Sequence, residues 1–213
     1  MEWNKLIQER HTSFAWKEEV PSEEIILETL QEVYENIPSK NLMFPYQVRL
    51  LRNNDPITLK EIFSICHRNA DLDATNDPGN PQVLAPWLLS FSPRSTKDLE
   101  SRYEKTVKPS DDQIPDIEIG IFCAYMMLSL ANKGIQTGNC RCIRNFDRLD
   151  EIFKVDNIRF IMGIGYAKDS KVRYNYFDPR VEKEKPIPFA PIDAEVVYPR
   201  PKFNDVIRVI KEN

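Results

Sequence analysis

One short loop, residues 10–16 with the sequence RHTSFAW, places several groups that can bind a polar ligand side by side. Arg10 contributes a guanidinium that stays charged, His11 an imidazole, and Thr12 and Ser13 each a hydroxyl. Water satisfies such groups on an exposed loop, so taken alone an Arg-His pair in a loop is more often solvated surface than a phosphate clamp. Position and composition of the rest of the chain have to decide between the two interpretations.

Cys140 and Cys142 form the second place with chemical potential, because thiolates two residues apart can share a metal ion. The other cysteines are Cys66, which adjoins His67, and Cys123, and no second Cys/His pair has a zinc-like spacing. We therefore expect no metal site. We expect four free thiols rather than a disulfide framework in a chain of this length without a secretion signal.

Composition indicates an ordinary globular protein. The 213 residues are 41% hydrophobic and 29% charged, with a formal net charge of -4, which favours a single domain over residues 1–213. Lys and Arg are spread along the chain rather than clustered, so a nucleic-acid partner is not expected.

The start of the chain and its longest apolar run bear on location. MEWNKLIQER has no apolar core of a signal peptide, so we expect a cytoplasmic protein. The run at 117–131 contains Glu118 and is shorter than the ~20 residues that cross a bilayer, so we expect no membrane span.

The hydrophobic pattern predicts the elements that must position these groups. A short helix around Leu6 and Ile7 precedes the loop, and a helix capped by Ser22 follows it. A capping box at Thr58 and Glu61 opens another helix, and Pro86 indicates an edge position or a bulge in a strand at 83–91. The remaining predictions are strands at 46–51, 158–167 and 194–198, loops at 69–82 and 174–191, a charged surface helix at 95–112, and a final helix around 206–210.

A long helix from Pro115 to the stop signal at Gly134 is apolar on nearly every side. Such a helix has to be covered on all faces, which points to a helix shared across a dimer interface. The order of elements, rich in helices with few strands, implies an α+β or α/β layered domain.

Several motifs together resemble the nitroreductase family of FMN-dependent NAD(P)H oxidoreductases. The family typically opens with Arg, then Arg or His, then Ser or Thr, and after its next helix it has Pro-Ser, an Asn and Pro-Trp before a strand. This chain resembles that order with RHTSFAW, VPSEEI, a helix and IPSKNLMFPYQVRLL. NPQVLAPWLLSF resembles its Ala-Pro strand, IGIFCAYMMLSLANKGIQTGNC its long central helix, and MGIGYA its closing Gly strand. The resemblance spans residues 1–190.

The resemblance implies an α+β fold of three layers, α/β/α, with a mostly antiparallel central sheet and the long helix at the interface of a homodimer. It also implies FMN as cofactor and ping-pong transfer of electrons from NADH or NADPH to an oxidised acceptor such as a nitroaromatic, a quinone or a flavin. The hydride moves at the flavin N5, so no protein residue is expected to be catalytic.

The same resemblance assigns cofactor contacts to particular residues. Arg10 would bind the phosphate, with His11 and Thr12 at the phosphate, ribityl chain or ring edge. The backbone around Gly138, Asn139, Cys140 and Arg141 would approach the ring. The expected set is completed by Asn41, Asn80, Lys183 and Lys185. Taken alone, Asn80 is equally a turn residue, and the two lysines are an ordinary charged tail.

The chain departs from the family pattern at four positions. Phe14 stands where a second cation is usual, Leu42 and Phe44 where Asn and Gln are expected, and Arg141 where an acidic residue or Gly is common. These departures leave two alternatives open. One is a flavin-binding or dimeric binding protein of the same fold, and the other is a flavin enzyme with different chemistry.

Overall fold

A computed structural model describes residues 2–66, 79–94 and 113–168. The described helices are α1 Trp3–Glu9, α2 Glu23–Asn36, α3 Pro56–Ile65, α4 Gln113–Asn132 and α5 Phe146–Phe153. The described strands are β1 Tyr46–Arg52, β2 Trp87–Pro93, β3 Gln136–Cys140 and β4 Phe160–Gly165, and 3₁₀ helices lie at Lys40–Leu42 and Pro81–Leu84. The predictions for 95–112, 174–191, 194–198 and 206–210, for most of the 69–82 loop, and for Lys183 and Lys185, lie outside the described residues.

The four strands form one antiparallel sheet in the order β1-β2-β4-β3, as expected for this fold class. Alternate residues of the buried strands face two separate cores. Leu89 and Phe91 pack with α2 and α4 on one side, whereas Leu88 and Ile161 pack with α3 and α5 on the other. The three-layer α/β/α arrangement predicted from the sequence is therefore confirmed.

Helices α2 and α4 agree with the sequence pattern. Ser22 caps α2 by accepting a hydrogen bond from the backbone N–H of Ile25, and Ile26 and Val33 are buried. Gly134 follows α4 with φ +76°, a conformation that glycine adopts without steric cost. The predicted start and stop signals of both helices hold.

Two predicted boundaries are wrong. Helix α3 begins at Pro56 rather than at Thr58, because Asp55 is the cap and accepts hydrogen bonds from the backbone N–H groups of Ile57 and Thr58. The strand predicted at 83–91 begins only at Trp87, since a 3₁₀ helix occupies the residues before it.

The expectation drawn from Pro86 is also wrong. Pro86 lies just before β2, so its missing N–H disturbs no strand pairing. Strand β2 is internal and pairs with both β1 and β4.

Helix α4 packs one side into the core and leaves another exposed in the single chain. Phe122 and Met126 are buried, whereas Ile117 and Tyr125 are 61% and 43% exposed. The helix has 20 residues, and by length and composition alone it is apolar enough to cross a membrane. Length therefore does not exclude a span, but core helices of soluble proteins pass the same test, and α4 packs against α2 and the sheet.

Candidate functional site

The loop at residues 11–13 lies directly against strand β3. The backbone N–H of Ser13 donates to the carbonyl oxygen of Thr137 at 2.9 Å, and Thr12 forms a parallel bridge with Thr137. The backbone N–H of His11 donates to Oε1 of Gln136 at 3.2 Å. The N-terminal cluster and the start of the predicted 138–141 segment are thus neighbours, although far apart in sequence.

The loop continues along the neighbouring strand and is fixed there by further contacts. The indole N–H of Trp16 donates to the carbonyl oxygen of Pro81 at 3.0 Å. The backbone N–H of Lys17 donates to the carbonyl oxygen of Tyr166 at 2.9 Å. The Ser13 hydroxyl donates to the carbonyl oxygen of Ala15 at 2.9 Å and is fully buried. This anchoring holds Arg10 and His11 at the edge of the sheet.

Gly138 is the residue that allows this close approach. A Cβ atom at this position would lie 2.6 Å from the carbonyl oxygen of Ser13 and 3.1 Å from Cβ of Gln82. No L-residue with a side chain fits there unless the loop moves away from β3. Glycine here serves the packing of the loop rather than an unusual backbone angle.

Asn139 points to the opposite side of β3, toward helix α4. Its Nδ2 lies 3.5 Å from Sδ of Met127, and its Oδ1 is buried with no hydrogen-bond partner among the described residues. A buried carbonyl oxygen without a donor is costly. Asn139 is therefore suited to accept a hydrogen bond from a bound ligand.

Asn80 and Cys140 are brought together, but inside the protein. Asn80 is buried, and its Nδ2 donates to Oε1 of Gln82 at 2.9 Å and contacts Sγ of Cys140 at 3.2 Å. Its Oδ1 accepts from the backbone N–H of Gln82 at 3.0 Å. The Asn80 amide is thus engaged with the protein itself.

Arg141 and Asn41 lie apart from this group. Arg141 is exposed, with its guanidinium 5.1 Å from the centre of the Phe146 ring. Asn41 is exposed with φ 54°, in the 3₁₀ helix that the buried Glu118 of α4 holds in place. Since Glu118 and Met127 are nine residues apart on one helix, Asn41 and Asn139 border points separated by about 14 Å along its axis.

The sequence placed Gln82 only within the NPQVLAPWLLSF motif, without a contact to Asn80, and gave no indication of the buried Glu118 contact. Asn80 followed by Pro81 is a typical start of a helical turn, with Asn as the cap and Pro in the first position, and the structure has that arrangement. This signal predicts that the Asn80 side chain bonds locally. Glu118 gave no sequence signal beyond its place in an apolar run.

An open cavity of about 790 Å³ lies between α2, the 3₁₀ helix at Lys40–Leu42 and the edge strand β1. Its lining is mainly apolar and includes Leu42 and Phe44 as well as Tyr34 and Tyr46. The Tyr46 hydroxyl is buried without a partner among the described residues, and burial with nearby Glu118 raises its pKa. Of the described candidate residues, none lines this cavity.

The four cysteines are free thiols, as predicted. Within 2–66, 79–94 and 113–168, no group of three or more His, Cys, Asp or Glu residues is placed to hold a metal ion.

Comparison with solved structures gives the fold a name. A nitroreductase family protein from Clostridium novyi NT superposes with a TM-score of 0.60 at 17% identity, over 81% of this chain and 89% of that one. NfrA2 from B. megaterium superposes with a TM-score of 0.64 at 14% identity, over 85% of this chain and 74% of that one. An FMN-dependent nitroreductase from Clostridium difficile superposes with a TM-score of 0.58 at 16% identity, over 80% of this chain and 90% of that one.

The chain has the nitroreductase fold, as its motifs predict. No family model matches the sequence, and no curated protein matches it. At identities of 14–17% these three likenesses establish the architecture.

Proposed function

We propose that this protein is an FMN-dependent oxidoreductase that takes electrons from NADH or NADPH and passes them to a small oxidised acceptor. The observation that carries the proposal is the pairing of Thr12 with Thr137. This pairing holds the Arg10 and His11 loop beside the strand that carries Asn139. A homodimer in the cytoplasm is part of the proposal.

The residues at this edge fit a flavin mononucleotide. Arg10 supplies a planar cation suited to a phosphate dianion, and His11 and Thr12 add donors beside it. The orphaned Oδ1 of Asn139 can accept from a ring N–H. The Asn80 and Cys140 side chains are bonded to each other, so from that pair only backbone groups are available to the cofactor.

When bound, FMN supplies the hydride chemistry, and the protein supplies binding and electrostatics. Arg10 would hold the phosphate end, and the anchoring of Ser13 and Trp16 would keep the loop from moving as charge develops on the ring. Backbone N–H groups around Gly138 and Arg141 are the expected donors toward that charge.

The visible spectrum of the purified protein, recorded with FMN and then with NADH or NADPH without oxygen, tests the proposal. Retained yellow colour that bleaches with the nicotinamide supports an oxidoreductase. A protein whose spectrum shows no FMN binding contradicts the proposal.

A dimeric binding protein of the same fold is the second candidate. The inward-facing Asn80 amide and the exposed Arg141 favour it, because both depart from a flavin contact. Leu42 and Phe44 also line an apolar cavity instead of offering polar groups. Binding of FMN without bleaching by either nicotinamide would support this candidate.

A further inference from the structure

The open cavity between α2, the 3₁₀ helix at Lys40–Leu42 and β1 has the size and lining of a ligand site. Its volume of about 790 Å³ lies within the range of roughly 300–1,000 Å³ that small-molecule sites occupy. None of the described residues assigned to the flavin lines it. The cavity is therefore a second place where a small molecule can bind, and its use does not depend on flavin binding.

Four aromatic rings form a continuous wall of this cavity. The ring centres of Tyr34 and Phe44 lie 4.9 Å apart, and those of Phe44 and Tyr46 lie 6.3 Å apart. The ring of Phe122 follows at 5.6 Å from that of Tyr46. These are the distances of interacting rings, so a planar aromatic molecule would extend the wall by one more ring.

Tyr46 supplies a polar group in this apolar wall. Its side chain lines the cavity, the residue is 6% exposed, and its hydroxyl is buried with no hydrogen-bond partner among the described residues. A buried hydroxyl without a partner is unfavourable, and an oxygen atom of a bound molecule would accept its hydrogen bond. The wall therefore favours an aromatic ligand that carries an oxygen acceptor.

The charges beside the cavity favour a neutral ligand. Burial, and after it the nearby Glu118 carboxylate, raise the pKa of Tyr46, so the hydroxyl keeps its proton and donates. Glu118 is 4% exposed, and this buried carboxylate would repel an anion at Tyr46. Arg94 also lines the cavity, and its Nη1 donates to the carbonyl oxygen of Phe44 at 3.4 Å. An anion held by Arg94 is the alternative that the experiment has to exclude.

The turn at residues 39–44 is strained, and two of its side chains line the cavity. Asn41, Leu42 and Phe44 have φ angles of 54°, 56° and 45°, which are unfavourable for residues with a Cβ atom. The Ser39 hydroxyl holds the turn by accepting from the backbone N–H of Phe44 at 2.9 Å. Strain of this kind is concentrated at ligand sites. A ligand oxygen reaches the buried Tyr46 hydroxyl when a neighbouring side chain shifts, and Phe44 is suited to shift because its backbone relaxes as it does so.

We propose that this cavity binds a neutral aromatic molecule through the wall of four rings, with an oxygen of the ligand accepting a hydrogen bond from the Tyr46 hydroxyl. The rings supply most of the contact, and the hydroxyl fixes the orientation. No bond of the ligand forms or breaks.

Titration of the full chain with Prodan, a neutral fluorescent naphthyl ketone, tests the proposal. We expect saturable binding to one site per chain, with emission shifted to the blue as the probe leaves water. FMN should not displace the probe, because the flavin contacts lie elsewhere. Naphthoate, which has the same rings and a negative charge, should bind more weakly. Tighter binding of naphthoate, or displacement of Prodan by FMN, would overturn the proposal.

Tyr46→Phe removes the hydroxyl and keeps the ring. The Kd for Prodan should rise roughly 2- to 12-fold, and the emission of the bound probe should move further to the blue because its carbonyl loses a hydrogen bond. The Kd for dimethylaminonaphthalene, which has the same rings without the ketone, should be unchanged. The free variant should melt no lower than wild type, because a buried unpaired hydroxyl has been removed. Equal Prodan affinity in both proteins would exclude the hydrogen bond.

A matched pair of surface variants locates the probe. Leu27 lines the cavity and is 49% exposed, so Leu27→Gln should raise the Prodan Kd roughly 3- to 10-fold through lost apolar contact. Ile57 is 77% exposed at the start of α3 and does not line the cavity, so Ile57→Gln should leave the Kd unchanged. A Kd that responds to Ile57→Gln and not to Leu27→Gln would place the probe elsewhere and overturn the proposal.

Discussion

The backbone N–H of Ser13 donates a 2.9 Å hydrogen bond to the carbonyl oxygen of Thr137. This bond adds the N-terminal loop to the open side of β3, the outer strand of the described sheet. The next residue, Gly138, then faces the Ser13 carbonyl, and Asn139 faces α4. This contact thus places Gly138 against the loop and leaves Asn139 facing α4.

Gly138→Ala should push the loop away from β3. Its new Cβ would lie 2.6 Å from the Ser13 carbonyl oxygen, and relief of such overpacking costs about 1–3 kcal/mol in the free energy of unfolding. Urea denaturation measures this loss. Equal stability of Gly138→Ala and wild type would show that the loop does not pack there.

Arg10→Ala should weaken FMN binding. A charge-assisted hydrogen bond contributes about 1.5–3 kcal/mol, so the Kd should rise roughly 10- to 150-fold by fluorescence titration. Lys17→Ala removes a cation from the same loop, and its backbone N–H contact with Tyr166 remains. FMN affinity should be unchanged in this control. An unaltered Kd in Arg10→Ala would rule out the phosphate role.

Glu118→Ala should destabilise the protein through the hydrogen bonds it removes. Glu118 is buried and accepts from the Ser39 hydroxyl at 2.7 Å and from the backbone N–H of Lys40 at 2.9 Å. Removing the buried acceptor of these two part-buried hydrogen bonds costs about 1–3 kcal/mol, which chemical denaturation detects. Glu118→Gln keeps an acceptor of the same shape and should cost less. A loss that is the same in both variants would show that the charge matters rather than the geometry.

The elements with a strong apolar pattern were predicted from the sequence. Elements that form through pairing with other parts of the chain were missed. The periodic Ile26 and Val33 identify α2, but QTGNC at β3 has no apolar alternation and is a strand because it pairs with β4. Helix α5 was missed although Asn145 caps it, because Lys154, in a left-handed conformation with φ 53°, replaces the usual stop glycine.

The candidate site was predicted in the same uneven way. The motif order indicated that residues 10–12 and 138–141 belong to one site, and the structure brings the first group beside the start of β3. The Asn80-Pro81 pair predicts the local bond to Gln82, but the contact of the Asn80 Nδ2 with Sγ of Cys140 forms only in the folded chain. No motif reports such a contact.

Stability should fall in alkaline solution, partly because of Cys123. Burial raises the pKa of this thiol above its ordinary value of 9.0. Its contribution is therefore fully present below pH 9.0 and is lost as the pH rises through the folded-state pKa. As the pH rises through that window, ionisation of each such thiol lowers the free energy of unfolding by up to about 1.4 kcal/mol per pH unit.

Cys123→Ala isolates this effect. Under reducing conditions, the free energy of unfolding of the variant should decline less steeply than that of wild type above pH 9.0, and the two proteins should have parallel profiles between pH 7 and pH 9. Parallel profiles at every pH would mean that the Cys123 thiol titrates alike in the folded and unfolded chains.

The exposed side of α4 should be the interface of a homodimer. Ile117 and Tyr125 are 61% and 43% exposed, and Ala124 lies beside them on the same helical face. A stripe of this kind on a 20-residue apolar helix loses free energy in water unless a second surface covers it. Light scattering should give about twice the chain mass of 24.9 kDa for wild type, and Ala124→Arg should shift it toward the monomer because a buried unpaired cation is costly. Asp156 is exposed beside the core on the other side of the sheet, so Asp156→Arg should leave the dimer intact. A wild-type mass near that of one chain at all concentrations would exclude the dimer.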